Sequence, residues 1–103
     1  MRVLLVLDDY NELLYLQTLL KKLGFDVDGI QNDRNFSDTN LSFHPSLVIA
    51  TAVGKRVNGI AMAEGLNKAK SMPKIILLAP AILVEKLKEK TIDNVDRIIS
   101  SPV

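Results

Sequence analysis

The fold of this chain is decided in residues 45–59, which read PSLVIATAVGKRVNG. Leu47 to Ala50 is an apolar run, typical of a β-strand that is covered on both faces. A loop with two basic residues follows the run, and Asn58-Gly59 then supplies a side-chain cap for a helix. The segment therefore predicts a buried strand that passes through a loop into a helix.

The same alternation of short apolar runs and helical patterns covers the rest of the chain. In the second of these segments, Phe25–Ile30, apolar and polar residues alternate, which indicates a half-exposed edge strand. The five predicted strands are Val3–Leu7, Phe25–Ile30, Leu47–Ala50, Lys74–Ala79 and Val95–Ile99. Five strands separated by helical segments predict an α/β fold with a doubly wound parallel sheet. Right-handed crossovers favour the flavodoxin-like strand order 2-1-3-4-5.

The helices are predicted from apolar residues three or four positions apart, and from their start and stop signals. Gly24 ends the first helix, Asn58 caps the third, and Pro80 begins the fourth, which ends near Lys90. Residues 33–44 are rich in Asn, Asp, Ser and Thr and predict a short or distorted second helix. The residues expected to anchor the other three helices are Leu13, Leu16, Leu20, Leu23, Met62, Ala63, Leu66, Ala69, Ile82, Val84 and Leu87.

Length and composition limit the class of protein. At 103 residues the chain predicts a single domain, spanning residues 1–103. The net charge is +1 and the basic residues do not cluster along the sequence, so direct nucleic-acid binding is not expected. No apolar run is as long as a membrane span, and we expect no membrane partner. The absence of cysteine excludes disulfides and permits a reducing compartment, and we expect a cytoplasmic protein.

The functional crevice of such a sheet lies at the carboxyl ends of its first and third strands. Those ends are Leu7-Asp8-Asp9 and the segment from Thr51 to Lys55. Together with residues 45–59, these segments resemble the response-regulator receiver domain of the chemotaxis type. In that family, the third strand carries an aspartate that is phosphorylated with the help of magnesium. The resemblance covers essentially the whole chain and implies a module of two-component, phosphorelay signal transduction.

The resemblance assigns each position of the receiver site to a residue of this chain. Counting forward from the first strand at Arg2–Val6, and back from Gly24-Phe25 along the first helix, the acidic pair falls on Leu7 and Asp8, so that Asp8 is the direct magnesium contact. The other positions that it assigns are Thr51 for the phosphoacceptor, the Val53 carbonyl for a metal ligand, Leu78 for the switch hydroxyl, Ser101 for the phosphate-contacting lysine and Ile98 for the switch aromatic.

These residues predict a degenerate receiver, or pseudo-receiver, that is not phosphorylated. A hydroxyl at Thr51 cannot accept a phosphoryl group from phosphohistidine as a carboxylate does, and Ser101 lacks the cation that neutralises an acyl phosphate. One carboxylate, one hydroxyl and one carbonyl make a poor magnesium site, so we expect no cofactor and at most weak magnesium binding.

Two interpretations of the charged residues stay open on the sequence alone. Asp8 and Asp9 either bind a cation or, as we favour, cap the following helix. Lys55 and Arg56 either contact Asp8 or an anion, or are solvated loop charges, which we favour.

The leading hypothesis is a phosphorylation-independent module for protein–protein interaction. Its partner is a separate protein or an output domain after Val103, as in the N-terminal part of a longer regulator. The resemblance also implies a fifth helix that this chain lacks, which leaves one sheet face to a partner or to a homodimer. The alternative is a domain that binds a small anionic ligand in the crevice, through Lys55, Arg56 and helix N-termini. An enzyme is not expected, because the chain has no cysteine nucleophile and no glycine-rich phosphate loop.

Overall fold

The computed structural model describes residues 1–34, 36–66, 73–90 and 92–101. Its strands are β1 (Arg2–Val6), β2 (Asp26–Ile30), β3 (Leu47–Thr51), β4 (Lys74–Pro80) and β5 (Arg97–Ser101). Its helices are α1 (Tyr10–Lys22), α2 (Phe36–Phe43), α3 (Gly59–Glu64) and α4 (Ala81–Glu89). All strand pairs are parallel and the order is β2-β1-β3-β4-β5, which confirms the predicted flavodoxin-like sheet.

The sheet separates two apolar clusters. On one face, Leu13 and Leu16 of α1 pack against β1 and β2. On the other face, α2, α3 and α4 contribute Phe36, Ala63 and Val84 to a larger cluster. The unbroken apolar run of β1 is explained by this arrangement, because its residues must fill both clusters.

Several predicted boundaries and two predicted anchors need correction. Leu23, predicted as an anchor of α1, follows the helix as its C-terminal cap and is 65% exposed. Ile82 is 82% exposed and does not anchor α4, which is held by Val84 and Leu87 on the opposite side of the helix. β5 begins at Arg97, two residues later than predicted, and α3 ends at Glu64 before the cap Gly65. Ala69, predicted for the buried face of α3, lies outside the described residues.

Asn94 connects the segment before β5 to the end of α3. It has a positive φ of 69°. Its side-chain amide donates to the carbonyl of Ala63 at 2.7 Å and to that of Leu66 at 3.2 Å. The Ala63 carbonyl, near the end of α3, therefore accepts a hydrogen bond from a distant segment in addition to that of the Leu66 N–H.

No helix in the described part of the chain has both the length and the apolar character needed to cross a membrane.

Candidate functional site

Three of the assigned positions meet at the carboxyl end of the sheet. Thr51 is the last residue of β3 and is level with Leu78 in β4. Val6 is level with Ala50, so Leu7 follows β1 at the height of Thr51. Parallel strands place their carboxyl ends at one edge of the sheet, which is why residues so distant in sequence are brought together.

Two of these positions are apolar and fully enclosed. Leu7 is 0% exposed, Leu78 is 3% exposed, and both belong to the buried cluster beneath α1. The cluster extends through Leu5 to Leu13 and Leu16 without a polar side chain. The part of the crevice that a receiver uses for an acid and a hydroxyl is therefore continuous with the core.

The Thr51 hydroxyl has a structural partner. Its Oγ1 accepts the backbone N–H of Asp8 at 3.0 Å, in a half-buried position. The bond joins the end of β3 to the turn between β1 and α1. The backbone N–H of Asp8 needs one hydrogen-bond acceptor, and the Thr51 hydroxyl supplies it.

The Asp8 carboxylate contacts the loop between β3 and α3. Its Oδ1 accepts the backbone N–H of Arg56 at 2.6 Å and lies 3.9 Å from Nε of the same residue. The Arg56 guanidinium also donates to the Asp8 carbonyl at 3.1 Å. Gly54 lies against this carboxylate, since a Cβ at that position would be 2.9 Å from Cγ of Asp8. Arg56 therefore contacts Asp8, as the alternative interpretation has it, while its side chain stays 60% exposed to solvent, as the favoured interpretation has it.

Asp9, and not Asp8, caps α1. Oδ1 of Asp9 accepts the backbone N–H groups of Asn11 at 2.8 Å and Glu12 at 3.3 Å. The prediction that the acidic pair caps the helix is right for Asp9 and wrong for Asp8.

We expect Asp9→Ala to lower the free energy of unfolding by about 1 kcal/mol, because two helical N–H groups lose their acceptor. Asp9→Asn is the matched control: it keeps an acceptor and ranks equally as a cap, so its effect should be smaller. Urea denaturation of the two variants measures the difference. Equal stabilities would contradict the assignment of the cap.

Asp33 is a site residue that the sequence analysis missed. Its Oδ2 accepts the N–H of Asn58 at 2.9 Å, and its own N–H donates to the Arg56 carbonyl at 3.1 Å. The β3–α3 loop is therefore held by Asp8 on one side and by Asp33 on the other. The signal was available, because Asp33 follows β2 at the same edge of the sheet.

The remaining assigned residues lie around the site. The Ser101 hydroxyl donates to the Glu12 carboxylate, which connects the end of β5 to α1. Ile98 is half-buried and packs on the face of the sheet that carries α4. Val53 and Lys55 are exposed.

The residues at this site do not fit a magnesium ion. Magnesium requires oxygen ligands in octahedral geometry, usually including one or two carboxylates. The one carboxylate in reach, that of Asp8, accepts a loop N–H, and its neighbour Leu7 is apolar. Across the described ranges, no group of three or more His, Cys, Asp and Glu side chains is placed to share a metal ion.

Solved structures similar to this chain are response-regulator receiver domains. The receiver domain of a response regulator from Bermanella marisrubri has a TM-score of 0.84 at 20% identity, over 99% of this chain and 86% of that one. A CheY-like receiver domain from Methylobacillus flagellatus has a TM-score of 0.80 at 17% identity, over 100% and 87%.

A third similar structure is the response regulator TrrA of Thermotoga maritima, solved in complex with Mg²⁺-BeF. It has a TM-score of 0.78 at 25% identity, over 97% of this chain and 85% of that one. No protein-family model and no curated protein matches the chain. The chain thus has the CheY-like fold of receiver domains.

Proposed function

We propose that this chain is a signal-transduction module of the receiver type that binds a protein partner and does not accept a phosphoryl group. The fold supports the first part of the proposal, because the similar structures are receiver domains. The second part, the absence of phosphorylation, is supported by the residue at the phosphoacceptor position and by its surroundings. Thr51 offers a hydroxyl that already accepts the N–H of Asp8, between the buried side chains of Leu7 and Leu78.

The charges around Thr51 support the same proposal. An acyl phosphate needs a cation nearby, and oriented cationic donors are what stabilise a transferring phosphoryl group. At the lysine position Ser101 is neutral, and its hydroxyl donates to Glu12. Of the two basic residues in the β3–α3 loop, Arg56 donates its guanidinium N–H to the Asp8 carbonyl, and Lys55 is exposed.

The β3–α3 loop also supports a module without a phosphorylation switch. Asp8 and Asp33 hold it from two sides through hydrogen bonds of 2.6 and 2.9 Å. A ligand shifts a conformational equilibrium only by its differential affinity for two states. Because the protein itself supplies the hydrogen bonds that hold this loop, no phosphoryl group is needed to fix its conformation. We infer that the partner-binding surface is present constitutively.

We expect beryllofluoride with magnesium to leave the backbone amide spectrum of the chain unchanged, because the acceptor carboxylate and the lysine are both replaced. Two-dimensional ¹⁵N–¹H NMR measures this, with magnesium alone as a reference. TrrA, which forms the Mg²⁺-BeF complex, serves as the positive control for the reagents. A saturable set of shifts centred on Thr51, or a stoichiometric phospho-adduct after treatment with acetyl phosphate, would refute the proposal.

The alternative function, binding of a small anionic ligand, rests on Lys55 and Arg56 beside the crevice. Lys55 is exposed, and the Arg56 guanidinium is 60% exposed and uses one N–H for the Asp8 carbonyl, so both side chains present donors to an anion. A melting-temperature screen with inorganic phosphate, nucleotides and cyclic dinucleotides separates the two functions. Only an anion-binding domain gains stability from such ligands.

A further inference from the structure

β5 forms a free edge of the sheet. Within the described ranges it pairs with β4 and with no other strand. An unpaired edge presents a row of backbone donors and acceptors to any extended chain that approaches it. The opposite edge, β2, carries the acidic residues Asp26 and Asp28, whereas Arg97 is the only charged residue within β5.

The register identifies the free backbone groups of β5. The Leu78 carbonyl accepts the N–H of Ala52 at 2.8 Å, so the backbone groups of Leu78 point to β3 and those of Leu77 point to β5. Leu77 is level with Ile98, and in a parallel ladder it pairs with the two residues that flank Ile98. The N–H and C=O groups of Ile98 and Ser100 therefore point away from β4, toward the free edge.

A groove with a basic rim runs along this edge, between the end of α4 and β5. Its apolar residues are Ile92, Val95 and Ile98, all half-buried, and Ile99, which is exposed. Its basic residues are Lys88, Lys90 and Arg97, all exposed.

The single acid of the groove, Asp96, has an internal role, since its Oδ2 accepts the N–H of Ile75 at 2.7 Å. The groove lining therefore carries three basic side chains against one acid, beside an apolar floor and unpaired strand groups. Two copies paired through β5 would bring Arg97 and its lysine neighbours toward like charges, which is unfavourable.

We propose that this groove binds an extended acidic segment of a partner protein, which adds to the sheet as a strand beside β5. Backbone bonds to Ile98 and Ser100 supply affinity, and alternate side chains of the segment supply specificity. Its acids meet Lys88, Lys90 and Arg97, and its aliphatic side chains meet the apolar floor. This inference rests on the proposed function as a protein-binding module and adds the chemistry of the partner.

The probe is a fluorescein-labelled ten-residue peptide that alternates glutamate with valine and isoleucine. We expect it to bind the 103-residue chain in fluorescence anisotropy, and to bind at least about tenfold more tightly than the same peptide with lysine in place of glutamate. Added salt should weaken the binding, because exposed charges are screened. Amide shifts on binding should be confined to β5 and the end of α4.

Two pairs of variants test the geometry. Ser100→Pro removes an outward N–H without touching the ladder to β4, and an edge strand tolerates proline there; Ser100→Ala keeps the N–H. We expect the proline variant to lose binding by about tenfold or more, at an unchanged fold, while the alanine variant binds normally. The double variant Lys88→Glu and Lys90→Glu should lose binding to a similar extent, whereas Lys21→Glu on α1 should not.

Other occupants give different results, each of which would overturn the proposal. Light scattering that grows with protein concentration and is abolished by Ser100→Pro would assign the β5 edge to a second copy. Binding to phosphatidylserine vesicles but not to the peptide would assign the basic rim to a membrane surface. Failure of the peptide to bind, with amide spectra still unchanged by beryllofluoride, would reject the acidic segment and leave the proposed function standing.

Discussion

Leu7→Asp, which places an acid where receiver domains have one, is expected to lower the free energy of unfolding by more than about 4 kcal/mol, or to prevent folding. Leu7 is 0% exposed and lies in the apolar cluster beneath α1. Removing a buried leucine side chain alone costs about 2–5 kcal/mol. A carboxyl group without a hydrogen-bond partner in the same space adds its own desolvation cost.

The matched controls separate burial from chemistry. Leu7→Ala should cost only the transfer and cavity contributions, so it should be less damaging than Leu7→Asp. Leu14→Asp introduces the same acid on the outer side of α1, where the leucine is 49% exposed, and should change stability by about 0.5 kcal/mol. Urea denaturation compares the three. If Leu7→Asp were as stable as Leu14→Asp, the crevice would be open to water, and our view of it as part of the core would be wrong.

Gly59→Ala should also be clearly destabilising. A Cβ at Gly59 would lie 2.5 Å from the Thr51 carbonyl oxygen and 2.8 Å from Cδ2 of Leu77. Because the nearer atom belongs to the backbone of β3, either the strand or the start of α3 must move. The expected cost is about 1–3 kcal/mol.

Gly65→Ala provides the control in the same segment. Its added Cβ would meet no atom closer than 3.3 Å, and Gly65 has the right-handed helical conformation, with φ of −80°. Alanine is the better helix former, so this change should be neutral or slightly stabilising. Thermal unfolding of both variants gives the comparison. Equal losses of stability in the two variants would show that the effect of Gly59→Ala does not come from its contact with β3.

The fold was predictable because the sequence changes period where the elements change. Apolar runs such as Leu47 to Ala50 alternate with helical stripes, and glycine or proline marks the stops. The meeting of Thr51 with Leu7 and Leu78 was predictable for a related reason, since parallel strands end at one edge. Ile82 shows the limit of the method: it lies near the helical stripe, but its 82% exposure depends on how α4 sits against the sheet.

The division of roles between the two acids was beyond the sequence. Asp8 and Asp9 are adjacent and chemically identical, and both precede a helix. Asp9 reaches the N–H groups of its own helix, whereas Asp8 reaches Arg56, which is 48 positions away. No local pattern reports where a distant loop returns. For the same reason Asn58 could not be identified as the partner of Asp33, although the position of Asp33 just after β2 could have been noted.

The bonds made by Asn94 join two parts of the chain into one cooperative unit. α3 has only six residues, and a helix shorter than about 12–15 residues is marginal by itself. The carbonyls of Ala63, in the last turn of α3, and of Leu66, just beyond it, accept the Asn94 amide, and the Ala63 carbonyl also accepts the N–H of Leu66. Detachment of the segment before β5 therefore removes part of the support of α3, and we expect the backbone amides of both elements to exchange with solvent through a shared opening event.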